Sequence, residues 1–200
     1  WLKGRNSKVE ENVVTGGSNG ISLESVTNSE IVANTVRDTS VGLDLGGAMT
    51  NTIRNNILIS NKRGIVLSRA LNNTIYNNAV IAGPETWMNV EADAWCVGTA
   101  CPNTWNISRT PGTNISGGRY LGGNCWSDYM GADANGDGLG DTPYGIYDVY
   151  GNPSPVNVDN LPIIAGAYSY LGIDPFFVDA GRVTFSGGKY ILPLDLTIRN

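Results

Sequence analysis

The stretch "EIVANTVRDTSVGLDLGGAMTN" (30–51) and the one that follows it, "TIRNNILISNKRGIVLSRALNN" (52–73), agree position by position as a 22-residue repeat. The agreement continues on both sides, because asparagine, apolar residues and glycine recur at the same spacing: Asn12/Asn34/Asn56/Asn78, Val9/Ile31/Ile53/Ile75, Val14/Val36/Leu58/Val80, Gly20/Gly42/Gly64, Ile21/Leu43/Ile65 and Leu23/Leu45/Leu67. A fixed period in the low twenties marks a solenoid, in which each repeat buries its apolar face by stacking on its neighbours.

The local pattern within each repeat predicts strands. Positions 21 and 23 are apolar and alternate with polar neighbours, and the repeats are rich in Val, Ile, Leu, Thr and Asn. Helical spacing is missing, and so is the Leu-x-x-Leu-x-Leu frame of a leucine-rich repeat. We therefore predict an all-β fold, a right-handed parallel β-helix in which each repeat makes one 22-residue coil. The recurring Asn is expected at a bend, where it bonds backbone groups and stacks on the Asn of the next coil.

The coils are assigned to residues 1–83, with three full coils and part of a fourth in the repeating region. The first coil leaves an open edge of stacked strands, and natural solenoids cap such edges. We expect either further coils upstream or docking of this end against a partner, such as another copy of the chain or a neighbouring cell-surface protein.

Composition excludes several classes of function. The chain has 200 residues, 41% of them apolar, which allows a sizeable core. Charged residues make up 16% and the net charge is −5, which argues against a nucleic-acid partner. The apolar runs are all too short for a membrane span. Histidine is absent, and the three Met and three Cys residues are scattered, so a copper or zinc site is a poor fit.

Two features suit an extracytoplasmic protein. Cys96 and Cys101 bracket the short loop "CVGTAC" and could form a local disulfide, with Cys125 outside this pair. Three sequons are compatible with surface glycosylation, although an Asn-rich chain also contains such triplets by chance: Asn72, Asn106 and Asn114.

The 22-residue period ends near residue 83, and we assign residues 84–163 to a closing segment. It carries four of the five tryptophans: Trp87, Trp95, Trp105 and Trp126. We expect these rings to cap the last rung of the solenoid, with a sugar-stacking platform as the alternative. Residues 164–200 form a β tail, in which "RVTFSGGKYILPLDLTIRN" predicts two strands around Ser-Gly-Gly. This tail is an added unit, the start of a following domain or a strand donated to a neighbouring subunit.

The closing segment also carries a family resemblance. The run "NTWNISRTPGTNISGGRYLGGNCWSDYMGADANGDGLGDTPYGI" (103–146), followed by "VDNLPI" (158–163) and preceded by the coil "NNTIYNN" (72–78), resembles NosD-type, carbohydrate-binding and sugar-hydrolase β-helix domains. Such domains abound in archaeal cell-surface and S-layer-associated proteins. The resemblance covers about residues 6–163 and implies an extracellular, cell-surface address. One departure is Cys125, where an aromatic residue usually precedes Trp-Ser-Asp-Tyr. The family's association with copper is not carried over, because this chain lacks a copper ligand set.

The stretch "GADANGDGLGDTPYG" (131–145) predicts a calcium site. Alternating Asp and Asn side chains on a turning backbone can converge on one hard cation, as in the loop of an EF-hand. The expected ligands are the side chains of Asp133, Asn135, Asp137 and Asp141 and the carbonyl of Leu139. Tyr144 stands where the loop of an EF-hand has its bidentate Glu, so Asp128 or Asp148 is expected to complete the shell. A solvated Asp-Gly turn is the alternative, but it would hold three mutually repelling carboxylates together.

A catalytic site is the weaker expectation. Glu24 and Asp44 are predicted to point outward from adjacent coils, on a diagonal that suits an inverting carboxylate pair. Two outward acids on a solenoid are more often only solvated charges. We therefore predict a non-enzymatic structural or adhesion module of the cell surface, of S-layer or filament type, that is stabilised by Ca²⁺ and self-associates through its ends. The alternative is a carbohydrate-binding or polysaccharide-degrading protein with its site on the coil surface.

Overall fold

The computed structural model describes residues 1–82, 94–98, 101–150, 152–164, 184–186 and 189–191, and these residues form nineteen strands, β1–β19 in chain order. Three sheets make up the solenoid, and each of the first three coils contributes one strand to each sheet. All pairings in these sheets are parallel except that of β17 with β16, which is antiparallel. Paired strands are offset by one repeat of the sequence, as in Val9 opposite Ile31 and Val36 opposite Leu58. The predicted all-β parallel solenoid with 22-residue coils is therefore confirmed.

The three sheets differ in length. The first contains β1 (Lys8–Glu10), β4 (Glu30–Val32), β7 (Thr52–Arg54) and β10 (Thr74–Tyr76). The second contains β2 (Val13–Thr15), β5 (Thr35–Arg37), β8 (Ile57–Asn61), β11 (Ala79–Ala82) and β15 (Cys125–Trp126). The third contains β3 (Asn19–Glu24), β6 (Val41–Gly46), β9 (Ile65–Ser68), β12 (Ala94–Val97), β16 (Tyr144–Asp148) and β17 (Asn157–Asp159).

Residues in the left-handed region recur at several bends of each coil, and two of these bends, called corners here, appear in all four repeats. The first corner has φ between 51° and 56° and recurs at Asn6, Asn28, Thr50 and Asn72. The second has φ between 54° and 59° and recurs at Glu11, Ala33, Asn55 and Asn77. This conformation costs a non-glycine residue about 1 kcal/mol, so something at the corners must offset it. The residue that follows each corner is polar, and its hydrogen bonds supply that compensation.

The interior of the solenoid consists of apolar columns. Ile31, Ile53 and Ile75 are fully buried one above another, and Leu23, Leu45 and Leu67 do the same on the third sheet. Each fully buried Leu or Ile side chain contributes about 1.5–3 kcal/mol relative to an exposed one. The stacking of these columns is therefore the main stabilising term of the fold.

Stacking continues beyond the end of the 22-residue period. Strand β12 pairs with β9 and then with β16, while β15 pairs with β11, so the closing segment adds further rungs to two of the sheets. Strands β13 (Thr110–Pro111) and β14 (Tyr120–Leu121) pair antiparallel in a separate two-stranded sheet. The segment that we assigned to residues 84–163 is thus built onto the coils by backbone pairing.

Little of the predicted tail is described. Within residues 164–200, strands β18 (Thr184–Ser186) and β19 (Lys189–Ile191) pair antiparallel on either side of the two glycines. The remainder of the tail after Ile164, and Trp87 of the predicted cap, lie outside the described residues. Among the described residues there is no helix of the length and apolarity needed to cross a membrane.

Candidate functional site

An asparagine ladder, Asn12–Asn34–Asn56–Asn78–Asn124, runs through one corner of the solenoid. Each of the first four members donates its backbone N–H and its side-chain Nδ2–H to Oδ1 of the next, at 2.9–3.2 Å. The side chains of Asn34, Asn56 and Asn78 are fully buried. The expected stacking of Asn at a bend is therefore confirmed, and all the Asn-to-Asn bonds run in one direction, while the same amides also donate to carbonyls of the preceding coil.

The asparagine ladder ends on a buried carboxylate. Asn124 donates its backbone N–H to Asp159 Oδ2 at 2.7 Å, and Trp126 Nε1 donates to the same oxygen at 3.0 Å. Leu161 N–H donates to Oδ1 at 3.1 Å. Gly123 packs so closely against this carboxylate that a Cβ at that position would clash with it. Burial raises the pKa of Asp159 to about 6, although these donors favour the charged form.

A second ladder follows the other corner and has mixed members: Ser7, Ser29, Asn51, Asn73, Asn103 and Asn157. Each backbone N–H donates to the side-chain oxygen of the next member at 2.9–3.0 Å. Both ladders therefore extend from the repeating coils into the closing segment. Sequence reasoning missed Asn103, Asn124, Asn157 and Asp159 because insertions separate them from the regular period.

Aromatic rings close the end of the solenoid. Trp105 and Trp126 are fully buried in the main core, with ring centroids 5.6 Å apart. Tyr144 stacks on Trp126 at 4.5 Å with an interplanar angle of 10°. Trp95, in contrast, is only half-buried and stands opposite Tyr147 in the register of the third sheet. Two of the predicted cap residues are thus buried in the main core, and Trp95 lies outside it.

The Asp/Gly loop folds around its own backbone. Asp133 accepts the N–H groups of Asp137 and Gly138 at 3.1 and 2.8 Å. Asp141 accepts Ala134 N–H at 2.6 Å, and its other oxygen accepts Asn135 Nδ2–H at 3.1 Å. The carboxylates that the sequence placed at alternating positions are therefore held by loop donors.

Arginine also neutralises part of this loop. Arg109 Nη1 lies 2.7 Å from Asp137 Oδ2, and Leu139 N–H donates to the other oxygen at 2.9 Å. Local burial would raise the pKa of Asp137, but the Leu139 N–H and the Arg109 guanidinium together hold that pKa below its usual value. Mutual repulsion among the loop carboxylates is thus relieved in part without a metal ion.

The two acids expected to complete a calcium shell have other surroundings. Asp148 is buried at the end of β16 and accepts the N–H groups of Tyr150 and Asn152 as well as the Asn152 side-chain amide, which lowers its pKa. Asp128 is exposed and lines a cleft beside β16. In the part of the chain that the structure describes, no three His, Cys, Asp or Glu side chains are grouped as a metal site.

The outward acids Glu24 and Asp44 each have a local partner. Glu24 forms an ion pair with Lys3 at 2.8 Å, and Asp44 Oδ2 accepts Asn19 Nδ2–H at 2.7 Å. Burial raises the pKa of Asp44, while hydrogen bonds from Ser22 and Asn19 oppose that shift. Glu24 and Asp44 lie two positions apart on neighbouring strands, because Ser22 pairs with Asp44 and Glu24 with Gly46.

The predicted disulfide and the three predicted glycosylation sites differ in their burial. Cys96 and Cys101 are joined in a disulfide with their Cα atoms 6.2 Å apart, and Cys125 is buried outside that bond. Asn72 is exposed, Asn106 is half-buried, and Asn114 is buried with its Nδ2–H donated to the Tyr120 carbonyl at 2.9 Å. Asn72 is therefore the most accessible of the three sequons.

Together these features define a class of protein: a parallel β-solenoid with polar ladders at its corners and an aromatic cap at one end. A family model described as "Periplasmic copper-binding protein (NosD)" matches residues 2–131, and the chain belongs to this family. No curated protein and no solved structure matches the chain.

The family's description names copper, so the chain's side chains are compared with the ligands that copper uses. Copper sites use imidazole, thiolate and thioether ligands. Histidine is absent from the sequence, Cys96 and Cys101 are oxidised to a disulfide, and Cys125 is packed in an apolar cluster with Leu139 and Ile163. These residues do not fit a copper site.

Proposed function

We propose that this chain is a non-enzymatic structural or adhesion module of the cell surface, of S-layer or filament type. The observation that carries the proposal is the pair of polar ladders. Their side chains form hydrogen bonds between successive coils, so the corner residues serve to hold the coils together. The outward acids that sequence analysis singled out are each bound to a neighbour. An extracytoplasmic location is supported by the periplasmic description of the family and by the Cys96–Cys101 disulfide.

The non-enzymatic part of this proposal is tested with Glu24→Gln and Asp44→Asn. A reducing-sugar assay against a panel of polysaccharides, together with a glycan array, should give no turnover for the parent chain. Turnover by the parent that both substitutions abolish would refute the structural role. Array binding without turnover would support adhesion through glycans.

Calcium belongs to the same proposal. The loop residues that would bind it are Asp133, Asn135, Asp137, Leu139 and Asp141, with Asp128 or Asp148 as further ligands. The support is chemical, because these donors are all oxygens and calcium prefers six to eight oxygens. The ion would hold the closing segment in shape and would not act as a switch.

Calorimetric titration and thermal unfolding with and without a chelator test the calcium proposal. A ligand at 100 times its Kd stabilises the folded state by about 2.7 kcal/mol, so the melting temperature should rise with calcium. Asp133→Asn should remove this rise, whereas Asp38→Asn on an exposed coil bend should keep it. No heat of binding and no change in melting temperature in the parent chain would refute it.

Self-association is the last part of the proposal. Strands β1 and β2 stand at one edge of the first and second sheets. Val13 is 70% exposed there, and it offers an apolar contact for a second copy. Light scattering should show mass increasing with concentration, and Val13→Lys should suppress the increase. A monomer at every concentration, with calcium present, would contradict this part.

A further inference from the structure

A cleft of 340 Å³ opens beside β12 and β16 in the closing segment. Four aromatic side chains line it, Trp95, Tyr129, Tyr144 and Tyr147, and Met130 and Asp128 lie among them. Among the described residues that line it, none carries a positive charge. The volume is at the small end of the range for ligand sites, so the cleft suits one small group.

The aromatic walls are held in place from within the cap. Tyr144 stacks on the buried Trp126, and Tyr129 meets Tyr144 edge-on at 6.3 Å between ring centroids. The Tyr129 hydroxyl donates to the Thr142 carbonyl at 2.6 Å. Trp95 and Tyr147 are directly paired on neighbouring strands. A preformed aromatic surface spends little conformational entropy when it binds a ligand.

The charges at the cleft favour a positive ligand. Asp128 is the one ionised side chain among the described lining residues, and the whole chain carries a net charge of −5. The faces of Trp and Tyr rings attract cations, and several rings around one cation form an aromatic cage. Arg63 already lies 4.8 Å from the centroid of Trp95, although it does not line the cleft. The Trp95 ring therefore already holds a cation of the chain itself, which also adds a positive charge beside that ring.

We propose that this cleft binds a small organic cation, a methylated ammonium or guanidinium group, against the aromatic rings and Asp128. An anion would be repelled by Asp128 and by the net charge. A neutral ligand would gain contact area but no attraction from the carboxylate. The site uses neither ladder, and it shares only Asp128 with the proposed calcium shell, so titration in a chelator separates the two proposals.

Tryptophan fluorescence of the full chain, titrated in the presence of a chelator, tests the proposal. Choline represents a free methylated ammonium, and N-acetylarginine amide represents a cationic side chain of a partner protein. The control ligand is the neutral analogue of choline in which carbon replaces the quaternary nitrogen. At least one cation should bind on the order of tenfold more tightly than the neutral analogue. Equal affinities, or binding of neutral oligosaccharides alone, would overturn the proposal.

Two pairs of variants locate the site. Asp128→Asn and Tyr147→Ala should each weaken binding of the cation several-fold. Their controls are Asp38→Asn and Tyr150→Ala, which change exposed residues outside the cleft. Circular dichroism verifies that every variant is folded before titration. If Asp128→Asn binds as tightly as Asp38→Asn, and Tyr147→Ala as tightly as Tyr150→Ala, the cleft is not the cation site.

Discussion

Asp159 has a chemical reason to stand where the asparagine ladder ends. Every earlier member both donates to the next rung and accepts from the previous one, which an amide does well. The last member has only to accept, and an ionised carboxylate is an acceptor without donors. Four N–H contacts converge on it, including a long one of 3.4 Å from Asn124 Nδ2. An asparagine side chain here would place its NH₂ group against one of those N–H donors, which would then lack an acceptor.

The buried charge of Asp159 predicts a pH dependence of stability. Its pKa of about 6 in the folded state exceeds the ordinary value of 3.8, so the folded chain binds the proton more tightly than the unfolded chain. This stabilising contribution is fully present below pH 3.8 and is lost as the pH rises through 6. The difference corresponds to roughly 3 kcal/mol in the free energy of unfolding. Urea denaturation between pH 4 and pH 7.5 measures it.

Asp159→Asn is the matched variant for this pH profile. It should remove the component of the profile that has its midpoint near pH 6 and should be less stable by about 1–3 kcal/mol, because one donor loses its acceptor. The contribution assigned to Asp159 would be wrong if the variant kept the parent's pH profile.

A second prediction at the residue scale compares two rungs of the same ladder. Asn56→Ala should lower the free energy of unfolding by about 2–4 kcal/mol, because it leaves the buried backbone N–H of Asn34 without its acceptor and removes the side-chain bonds of Asn56 to Asn78 and to the Ile31 carbonyl. Asn12→Ala, on the exposed first rung, should cost about 1 kcal/mol or less. Equal losses at the two positions, measured by urea denaturation, would show that ladder burial is not the source of stability.

At the scale of elements, the glycines that recur at the start of the third-sheet strands are required by close packing. A Cβ on Gly42 would lie 2.7 Å from the Gly64 carbonyl oxygen and 3.1 Å from Asn61 Nδ2. In contrast, a Cβ on Gly46 in the same strand would meet nothing closer than 3.8 Å. A side chain therefore has no room at the start of β6 and has room at its end.

Gly42→Ala should accordingly lower the melting temperature by several degrees, since overpacking costs about 1–3 kcal/mol. Gly46→Ala should leave it nearly unchanged or raise it slightly, because it reduces the freedom of the unfolded chain. Differential scanning calorimetry of both variants makes the comparison, and a similar change in both would contradict the packing argument.

The ion pair between Arg109 and Asp137 leads to a prediction for the Asp/Gly loop. If calcium binds as proposed, Arg109→Gln should increase its affinity several-fold, because a competing cation is removed from one ligand. Arg5→Gln, which changes an exposed arginine of the first coil, is the control. Calorimetric titration measures both, and an unchanged or lower affinity in Arg109→Gln would argue against Asp137 as a ligand.

The sequence predicted those strands whose pairing partners lie one 22-residue repeat apart. Ile31 and Ile53 occupy the same position in successive repeats and pair directly, so the period implied the sheets. In the closing segment, Asn124 bonds Asn78 from 46 residues away, and the inserted residues hide that relation. The role of Asp159 depends on burial by Trp126, 33 residues earlier, which "VDNLPI" alone does not indicate. Arg109 lies 28 residues before Asp137, so the loop's pattern could not include it.

For the whole molecule, the closing segment completes a core that the coils leave open. Trp105 is fully buried in the same cluster as the apolar columns, whereas Trp1 at the other end is 85% exposed. Trp105→Ala should therefore lower the free energy of unfolding by about 3–5 kcal/mol, and Trp1→Ala by less than about 0.5 kcal/mol. Chemical denaturation followed by circular dichroism measures both values, and a small effect of Trp105→Ala would mean that the coils are stable without their cap.

Because the Asn-to-Asn bonds run in one direction, the asparagine ladder allows the number of coils, and so the length of the solenoid, to change. Since each rung offers its neighbour the same donors and acceptors, a duplicate of residues 34–55 would fit between Asn34 and Asn56 without changing either end. Such an insertion would lengthen the protein by one strand spacing, about 4.8 Å. The carboxylate of Asp159 ends the ladder, and the number of coils before it can change by whole 22-residue repeats.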